Sequence, residues 1–231
     1  MHALLHRINF MRINSGLLAV LFLTFICILR ADTSVVWSLE GAAKVGGHAT
    51  AVYGAPQSVN DAGVKTLVFN GASDGLLVPA NPLAGWAAFT IEVLIKPDGS
   101  GNEEQRFMHI QDSREARIMI ETRVTKDRQW ALDTFLFADK DHNHPLLDKT
   151  ILHPTDQWHW VALVYDGKRM TNYINGIKEL EGEVAFPPML AGQISIGVRQ
   201  NLVYWYKGAI REVRFHPVAL APSALQRVAV K

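Results

Sequence analysis

The chain has 231 residues, of which 48% are hydrophobic and 19% are charged, and this composition is typical of one globular domain. Its formal net charge is +1, and Arg7, Arg12 and Arg30 lie in the first 31 residues, which contain no acidic residue. Without those three positive charges the remainder carries −2, so there is no electrostatic reason to expect nucleic acid or an anionic membrane as a partner. The single cysteine, Cys27, excludes a disulfide framework and any thiolate metal site.

The first 31 residues are typical of a secretory signal, because two early arginines precede an apolar run over residues 17–29. That run is too short to span a bilayer comfortably. Cleavage after Ala31 is expected to leave one domain over residues 32–231, and Met11 is an alternative start. We therefore expect a secreted, periplasmic or cell-surface protein. The alternative is an uncleaved N-terminal anchor.

After the leader, short β-type runs alternate with turn residues, which predicts an all-β sandwich or barrel. The dipeptides Asp166-Gly167 and Asn175-Gly176 predict hairpins. The runs are Thr66–Phe69, Leu76–Val78, Phe89–Ile95, Phe107–Gln111, Ala116–Val124, Trp130–Phe137, Trp158–Tyr165, Met170–Asn175, Lys178–Glu181, Ile194–Val198 and Gly208–Phe215. Only Pro222–Val228 favours a short helix.

Three segments, taken in order, resemble one known family. They are Leu67–Asp74 (LVFNGASD), the pair Gln157–Gly167 (QWHWVALVYDG) and Tyr173–Gly176 (YING), and Tyr206–Phe215 (YKGAIREVRF), which follows Ile196-Gly197. Together they resemble the laminin-G-like, concanavalin A-like lectin family over roughly residues 34–228. The resemblance implies a two-sheet antiparallel jelly-roll sandwich and an extracellular recognition module. It identifies the fold better than the ligand.

The run that starts at Trp158 carries no charge, so it predicts a central strand. We expect Trp158, Val161 and Leu163 to be buried between two sheets, with a cost of about 3–5 kcal/mol for Trp158→Ala.

A metal site is a second expectation, because Asp139, Asp141 and Asn143 have the alternate spacing that presents oxygen ligands to calcium. An EF-hand is excluded, since its calcium loop needs glycine where His144 stands. The alternative is a solvated loop between two strands.

Calcium is also implied by the family resemblance, in which acidic loop residues bind it. Asp74 and Glu212 are the positions that match. The early acidic loop of the family is replaced by Gly41–Ala55, which has no acidic residue. Calcium is therefore an optional cofactor in this prediction, and Glu212 has a second interpretation as an ion-pair partner of Arg211 or Arg214.

A polar strand face is the predicted ligand site. Arg117, Glu121 and Arg123 share one face of their strand, and Asp133 is expected across the sheet. A sugar favours such polar groups beside an aromatic ring. The candidate ligand-binding residues are Arg117, Glu121, Arg123, Trp130, Asp133 and Tyr173. The alternative is an exposed face whose charge pairs contribute little.

We predict that the chain is not an enzyme. A lyase of the same fold would use Glu121, Arg123 and Tyr204 or Tyr206, but Ser195 and Ile210 stand where that pattern has histidine and tyrosine. The first hypothesis is a module that binds a glycan or an extracellular protein. The alternatives are a polysaccharide lyase or glycosidase, and a structural or adhesive surface protein without a small ligand.

Overall fold

The computed structural model describes residues 33–228, and the predicted leader over residues 1–31 lies outside them. Strands are numbered in chain order. They are β1 (Val35–Ser38), β2 (Lys44–Val45), β3 (His48–Ala49), β4 (Ala51–Tyr53), β5 (Gln57–Asp61), β6 (Val64–Asn70), β7 (Gly75–Val78), β8 (Phe89–Pro97), β9 (Glu104–Asp112), β10 (Arg117–Val124), β11 (Gln129–Phe137), β12 (Asn143–Leu147), β13 (His153–Pro154), β14 (His159–Tyr165), β15 (Arg169–Ile174), β16 (Ile177–Glu183), β17 (Gly192–Ile196) and β18 (Lys207–His216).

Two eight-stranded sheets face one another. Sheet I has the order β16-β15-β14-β8-β18-β6-β5, with β1 also paired to β18. Sheet II has the order β12-β11-β10-β9-β17-β7-β4, with β13 also paired to β11. Each strand pair within these sheets is antiparallel, so the expected all-β, two-sheet antiparallel jelly-roll sandwich is confirmed.

The core lies between the sheets because alternate residues of each strand point inward. In β10 the inward residues include Ile118 and Ile120, both fully buried. From β14 the core receives Val161 and Leu163, as expected. Trp37 closes one end with its ring edge on Phe215, at a centroid distance of 4.9 Å.

The expected core role of Trp158 is wrong. Trp158 precedes β14 and is half-buried, and its Nε1 donates to Asp61 Oδ2 at 2.9 Å. Lys96 and Arg211 lie over the ring, at 5.0 and 4.3 Å from its centroid. The inward residues of β14 have odd numbers, so an even-numbered tryptophan belongs to the opposite side. Because Trp158 is outside the core, the expected loss of about 3–5 kcal/mol of stability for Trp158→Ala does not apply.

The predicted helix over Pro222–Val228 is also wrong, because only Pro222–Ala224 forms a short 3-10 turn. The segment instead lies along the outer face of sheet I. Leu225 packs there beside Tyr173, and the Gln226 amide donates to Glu92 Oε1 at 2.6 Å. Bonds to strand side chains hold this backbone extended.

The hairpin expected at Asn175-Gly176 is present between β15 and β16. Both residues have positive φ, 50° and 72°, which glycine and asparagine tolerate best. The hairpin predicted from this dipeptide is therefore confirmed.

Candidate functional site

The solvent side of sheet II is a polar surface, which we call the polar face. Its side chains come from β9, β10, β11 and β17 and from the loop that follows β17. They are Glu104, Arg106, His109, Gln111, Arg117, Glu121, Arg123, Asp133, Gln193, Ser195, Arg199 and Gln200. The face combines guanidinium, carboxylate and amide groups, which are the groups that bind hydroxyl-rich ligands in proteins.

A β-bulge in β9 decides which side chains reach this face. Ile120 pairs with Met108, but Glu121 pairs with Arg106, so Phe107 is an extra residue in the ladder. Phe107 and Met108 are both buried in the core. The bulge therefore reverses the alternation, and Arg106 joins the same face as His109.

One end of the face is a closed charge network, the paired end, formed by Glu104, Arg106, Glu121, Arg123 and Asp133. Arg106 Nε lies 2.9 Å from Glu121 Oε1, and a second nitrogen of Arg106 pairs with Glu104. Arg123 lies 2.7 Å from Glu104 and 3.3 Å from Glu121, and its Nε donates to Asp133 Oδ2 at 2.8 Å. Each charged group here has a partner of opposite sign.

Two carboxylates face each other inside the paired end. Glu121 and Asp133 are directly opposed across β10 and β11, a placement that is unfavourable for like charges. Burial, followed by the neighbouring Asp133, raises the pKa of Glu121 to about 7. Glu121 is 1% exposed, so its carboxyl group presents little surface to a ligand.

A groove of about 580 Å³ adjoins the paired end. Arg123 forms its inner wall, and Lys126 and Leu152 lie on its rim. Across the opening Lys149 Nζ contacts Glu103 Oε1 at 2.7 Å. The groove is large enough for a short oligosaccharide segment, because small-ligand sites measure roughly 300–1,000 Å³.

The other end of the face, the unpaired end, consists of His109, Arg117 and Arg199 with three glutamines. Neither arginine forms an ion pair with any residue between 33 and 228. Arg117 stacks on Phe137, at 3.7 Å from the ring centroid. Burial, followed by the Arg199 guanidinium, lowers the pKa of Arg117.

His109 is 2% exposed and lies beside these arginines. Its Nδ1 accepts the backbone N–H of Gln200 at 3.2 Å. Burial, followed by the charges of Arg199, Arg117 and Arg106, lowers the pKa of His109 to about 3. The ring is therefore neutral at physiological pH.

A shallower groove of about 380 Å³ adjoins the unpaired end. Gln111, Gln193 and Gln200 line it, and the Gln193 side-chain amide donates to Gln200 Oε1 at 3.1 Å. Amide groups held in this way present fixed donors and acceptors to a ligand.

Tyr204 covers part of the face from the loop after β17. The ring lies over Arg106, 3.8 Å from the guanidinium carbon, and the Arg106 amide donates to the Tyr204 carbonyl at 2.9 Å. Tyr204 is 39% exposed, next to the exposed Leu202 and Val203. Tyr204 thus adds an aromatic ring to the polar face, which also carries Phe135 and Phe137 from β11.

Two expected aromatic contacts are corrected by the structure. Trp130 is fully buried on the core side of β11, with Nε1 donating to Pro154 at 3.2 Å. Asp133 on the same strand has the opposite parity, so the two side chains cannot share a face. Tyr173 lies on the outer face of sheet I beneath the C-terminal segment. Neither ring reaches the polar face.

The expected calcium ligands of the β11–β12 turn serve the turn itself. Asp139 Oδ1 accepts the backbone N–H groups of Asp141 and His142 at 2.8 and 2.9 Å. The Asn143 side chain donates to the carbonyls of Asp139 and Lys140. The Asp141 side chain is 71% exposed. This geometry fits the alternative of a solvated loop.

Asp74 and Glu212, the two positions that match the family pattern, also bond to other groups of the protein. Asp74 accepts the amides of Ala55 and Asn70 at 2.8 and 3.1 Å, and Glu212 pairs with Arg214 on sheet I. In the part of the chain that the structure describes, no group of three or more His, Cys, Asp or Glu side chains is placed to hold a metal ion.

The structure distinguishes the two tyrosines of the lyase alternative. Glu121 and Arg123 are tied into the paired end. Tyr206 is fully buried, and burial raises its pKa well above the ordinary value. Of the expected tyrosines, only Tyr204 remains at the surface.

Sequence reasoning did not find Glu104, Arg106, His109, Arg199 or Gln200. The alternation of β9 conceals the first two, because the bulge changes its parity. The last two come from a loop, whose position depends on tertiary structure. The sequence could have indicated His109, since it is the lone polar residue within Phe107–Ile110.

Comparisons with known proteins agree with this architecture. Residues 70–226 match a family model described as the concanavalin A-like lectin/glucanases superfamily. No curated protein matches the chain. Among solved structures, domain 4 of an extracellular GH43 arabinanase from Geobacillus stearothermophilus, in complex with arabinotriose, is 20% identical. That comparison covers 82% of this chain and 94% of that one, with a TM-score of 0.61.

Two further structures share the fold. The ligand-binding domain of botulinum neurotoxin serotype D, in complex with N-acetylneuraminic acid, is 14% identical with a TM-score of 0.63. The match covers 83% of this chain and 49% of that domain, so the chain spans about half its length. A native heptameric SAP-like pentraxin from Limulus polyphemus is 18% identical, covering 68% of this chain and 77% of that chain, with a TM-score of 0.55.

Proposed function

From the premise that this chain belongs to the concanavalin A-like lectin/glucanases superfamily, we propose that it is a non-enzymatic module that binds a glycan on the polar face of sheet II. The observation that carries the proposal is the polar face itself. Charged and amide side chains are mounted on neighbouring strands, with a groove at each end.

Fixed side chains support binding on this face. Arg123 is bonded to carboxylates from three strands, so its guanidinium has little freedom left to lose when a ligand arrives. Groups placed on strands hold their positions better than groups placed on loops. The paired end therefore forms a rigid wall for the larger groove.

Binding rather than catalysis is supported by the state of the carboxylates. A glycosidase needs two carboxyl groups that flank the scissile bond. Glu121 and Asp133 both bond to Arg123 and are 1% and 5% exposed. Both carboxyl groups are thus buried and paired with Arg123, which favours binding over hydrolysis.

Export to the outside of the cell forms part of the proposal, and the signal-like first 31 residues support it. Between residues 33 and 228 the structure has no helix long and apolar enough to cross a membrane. A glycan on a cell surface or in an extracellular matrix is then the accessible partner.

The test is a glycan array probed with the purified full chain, with and without a chelator. We expect retention of at least one glycan class, and loss of signal with chelator would support the predicted calcium. Lys149→Ala, at the rim of the larger groove, should weaken retention. Lys168→Ala is the matched control, because Lys168 also forms an exposed ion pair, on sheet I with Glu183.

An array without any retained glycan, from protein with a β-sheet circular dichroism spectrum, would contradict the proposal and favour the adhesive alternative. New reducing ends or unsaturated sugar in the same incubation would instead support the lyase or glycosidase alternative.

A further inference from the structure

We infer that the glycan is acidic, and that a carboxylate or sulfate on it binds at the unpaired end, against Arg117, Arg199 and His109. This inference rests on the proposed function and adds the chemical class of the ligand. Both groups are oxyanions and share the chemistry that the site recognises.

The first observation is an uncompensated positive charge. At the paired end, two arginines meet three carboxylates. At the unpaired end, Arg117 and Arg199 are close enough to repel each other, yet neither has an ion-pair partner within residues 33–228. Bringing like charges together without a counter-charge is unfavourable, and a bound anion would remove that cost.

Among residues 33–228, Asp112 and Glu115 lie near this end but form no ion pair with Arg117 or Arg199. Asp112 accepts the backbone amides of Arg114, Ala116 and Leu190 at 2.8, 3.1 and 2.9 Å, so its oxygens are occupied. Arg117 reaches the backbone carbonyl of Glu115 at 3.5 Å and forms no ion pair with its carboxylate. The Nε of Arg117 is buried without a hydrogen-bond acceptor within residues 33–228.

The second observation is an unpartnered donor on His109. Because the backbone N–H of Gln200 donates to Nδ1 of His109, that nitrogen carries the lone pair. The neutral ring must then carry its proton on Nε2. Nε2 is buried, and no acceptor among residues 33–228 reaches it. A buried N–H without an acceptor is costly, and an oxyanion would satisfy it.

The third observation concerns the rest of the ligand. The groove beside this end is lined by the neutral amides of Gln111, Gln193 and Gln200 and also by Asp112. The Asp112 carboxylate is paired with the Arg114 guanidinium at 3.1 Å. An inorganic anion needs only the arginines and the histidine. An anion attached to a hydroxyl-rich ring also uses the amides. The combination favours an acidic sugar over a free ion.

The experiment compares matched pairs of oligosaccharides by isothermal titration calorimetry with the full chain. Galacturonate and glucuronate trisaccharides are each paired with their methyl esters, and a sulfated galactan trisaccharide is paired with its desulfated form. We expect at least one acidic member to bind about tenfold or more tightly than its neutral partner. The carboxylate and sulfate pairs separate the two sources of the anion.

Variants then locate the anion. Arg117→Gln and Arg199→Gln should each remove most of that preference, and Arg117→Lys should retain part of it because the charge remains while the planar fork is lost. Arg169→Gln is the matched control, since it removes an exposed arginine on sheet I. Urea unfolding of each variant verifies that it is folded.

The inference is overturned if no acidic member binds more tightly than its neutral partner. It is also overturned if folded Arg117→Gln and Arg199→Gln keep the full preference. Neutral glycans that bind as well as acidic ones would leave the proposed function in place, whereas absence of any binding would contradict both.

Discussion

The two ends of the polar face use the same residue types in opposite ways. At the paired end, arginines and carboxylates from three strands form ion pairs with one another. At the unpaired end, Arg117 and Arg199 have no such partner, and His109 keeps an unused N–H. The first arrangement stabilises the sheet, and the second leaves bonding capacity for a ligand. Charge on a strand face therefore indicates function only when its partners are known.

The variant Arg123→Met is the strongest test of the difference between the paired end and the unpaired end. Arg123→Met leaves Glu104, Glu121 and Asp133 facing a single remaining arginine. Because a buried ion-pair network loses one member, we expect the free energy of unfolding to fall by about 3–5 kcal/mol. Urea unfolding at pH 7 measures it. A loss below about 1 kcal/mol would show that the network contributes little to stability.

Glu121 sharpens the comparison through pH. Burial raises the pKa of Glu121 to about 7; the charges of Asp133 and Glu104 add to this rise, and those of Arg106 and Arg123 oppose it. The fold therefore keeps a proton that the unfolded chain releases near pH 4.5. This stabilisation is complete below pH 4.5 and is lost as the pH rises through 7.

The variant Glu121→Gln cannot ionise, so it avoids that loss. Relative to wild type, its free energy of unfolding should increase between pH 4.5 and 8, by on the order of 3 kcal/mol. Urea unfolding at both pH values tests this. A difference that does not change with pH would contradict it, and Glu183→Gln, an exposed control, should show no such rise.

Tyr204 tests whether the paired end needs its aromatic cover. Tyr204→Ala removes the ring over Arg106 but no carboxylate, so we expect a loss of about 1 kcal/mol in the free energy of unfolding. Thermal unfolding provides the measurement. A loss as large as that of Arg123→Met would place the main support of Arg106 in the ring.

The smallest effect is expected at the unpaired end. Arg117→Met removes no ion pair, relieves the repulsion from Arg199 and keeps contact with Phe137, so stability should stay within about 0.5 kcal/mol of wild type. The same urea experiment as for Arg123→Met decides it. A comparably large loss would make the two ends equivalent.

Much of the fold could be predicted from the sequence because it depends on local chemistry. Asn175-Gly176 requires a tight hairpin, and the alternation of Arg117–Val124 fixes which residues share a side. Asp133 lies across the sheet from this strand, as expected, and the register places it opposite Glu121. The ligand-binding role of these residues stays a prediction.

The remainder of the site depends on geometry that no local pattern carries. The bulge at Phe107 brings Arg106 to the polar face, and Arg199 arrives on a loop. The position of Trp130 was within reach of the sequence, since its parity differs from that of Asp133. Parity also identifies Trp158 as a residue of the outer side.

The extra residue in β9 lets two consecutive side chains, Phe107 and Met108, enter the core without moving Glu104 or Arg106 off the polar face. A substitution at Glu104 or Arg106 changes a chemical group but leaves the side of the sheet unchanged. Deletion of Phe107 would restore regular alternation, so Arg106 and His109 would still share a face. Among descendants of this chain, the residue count of this strand is therefore constrained by the core, which would lose the Phe107 ring, and not by the polar face.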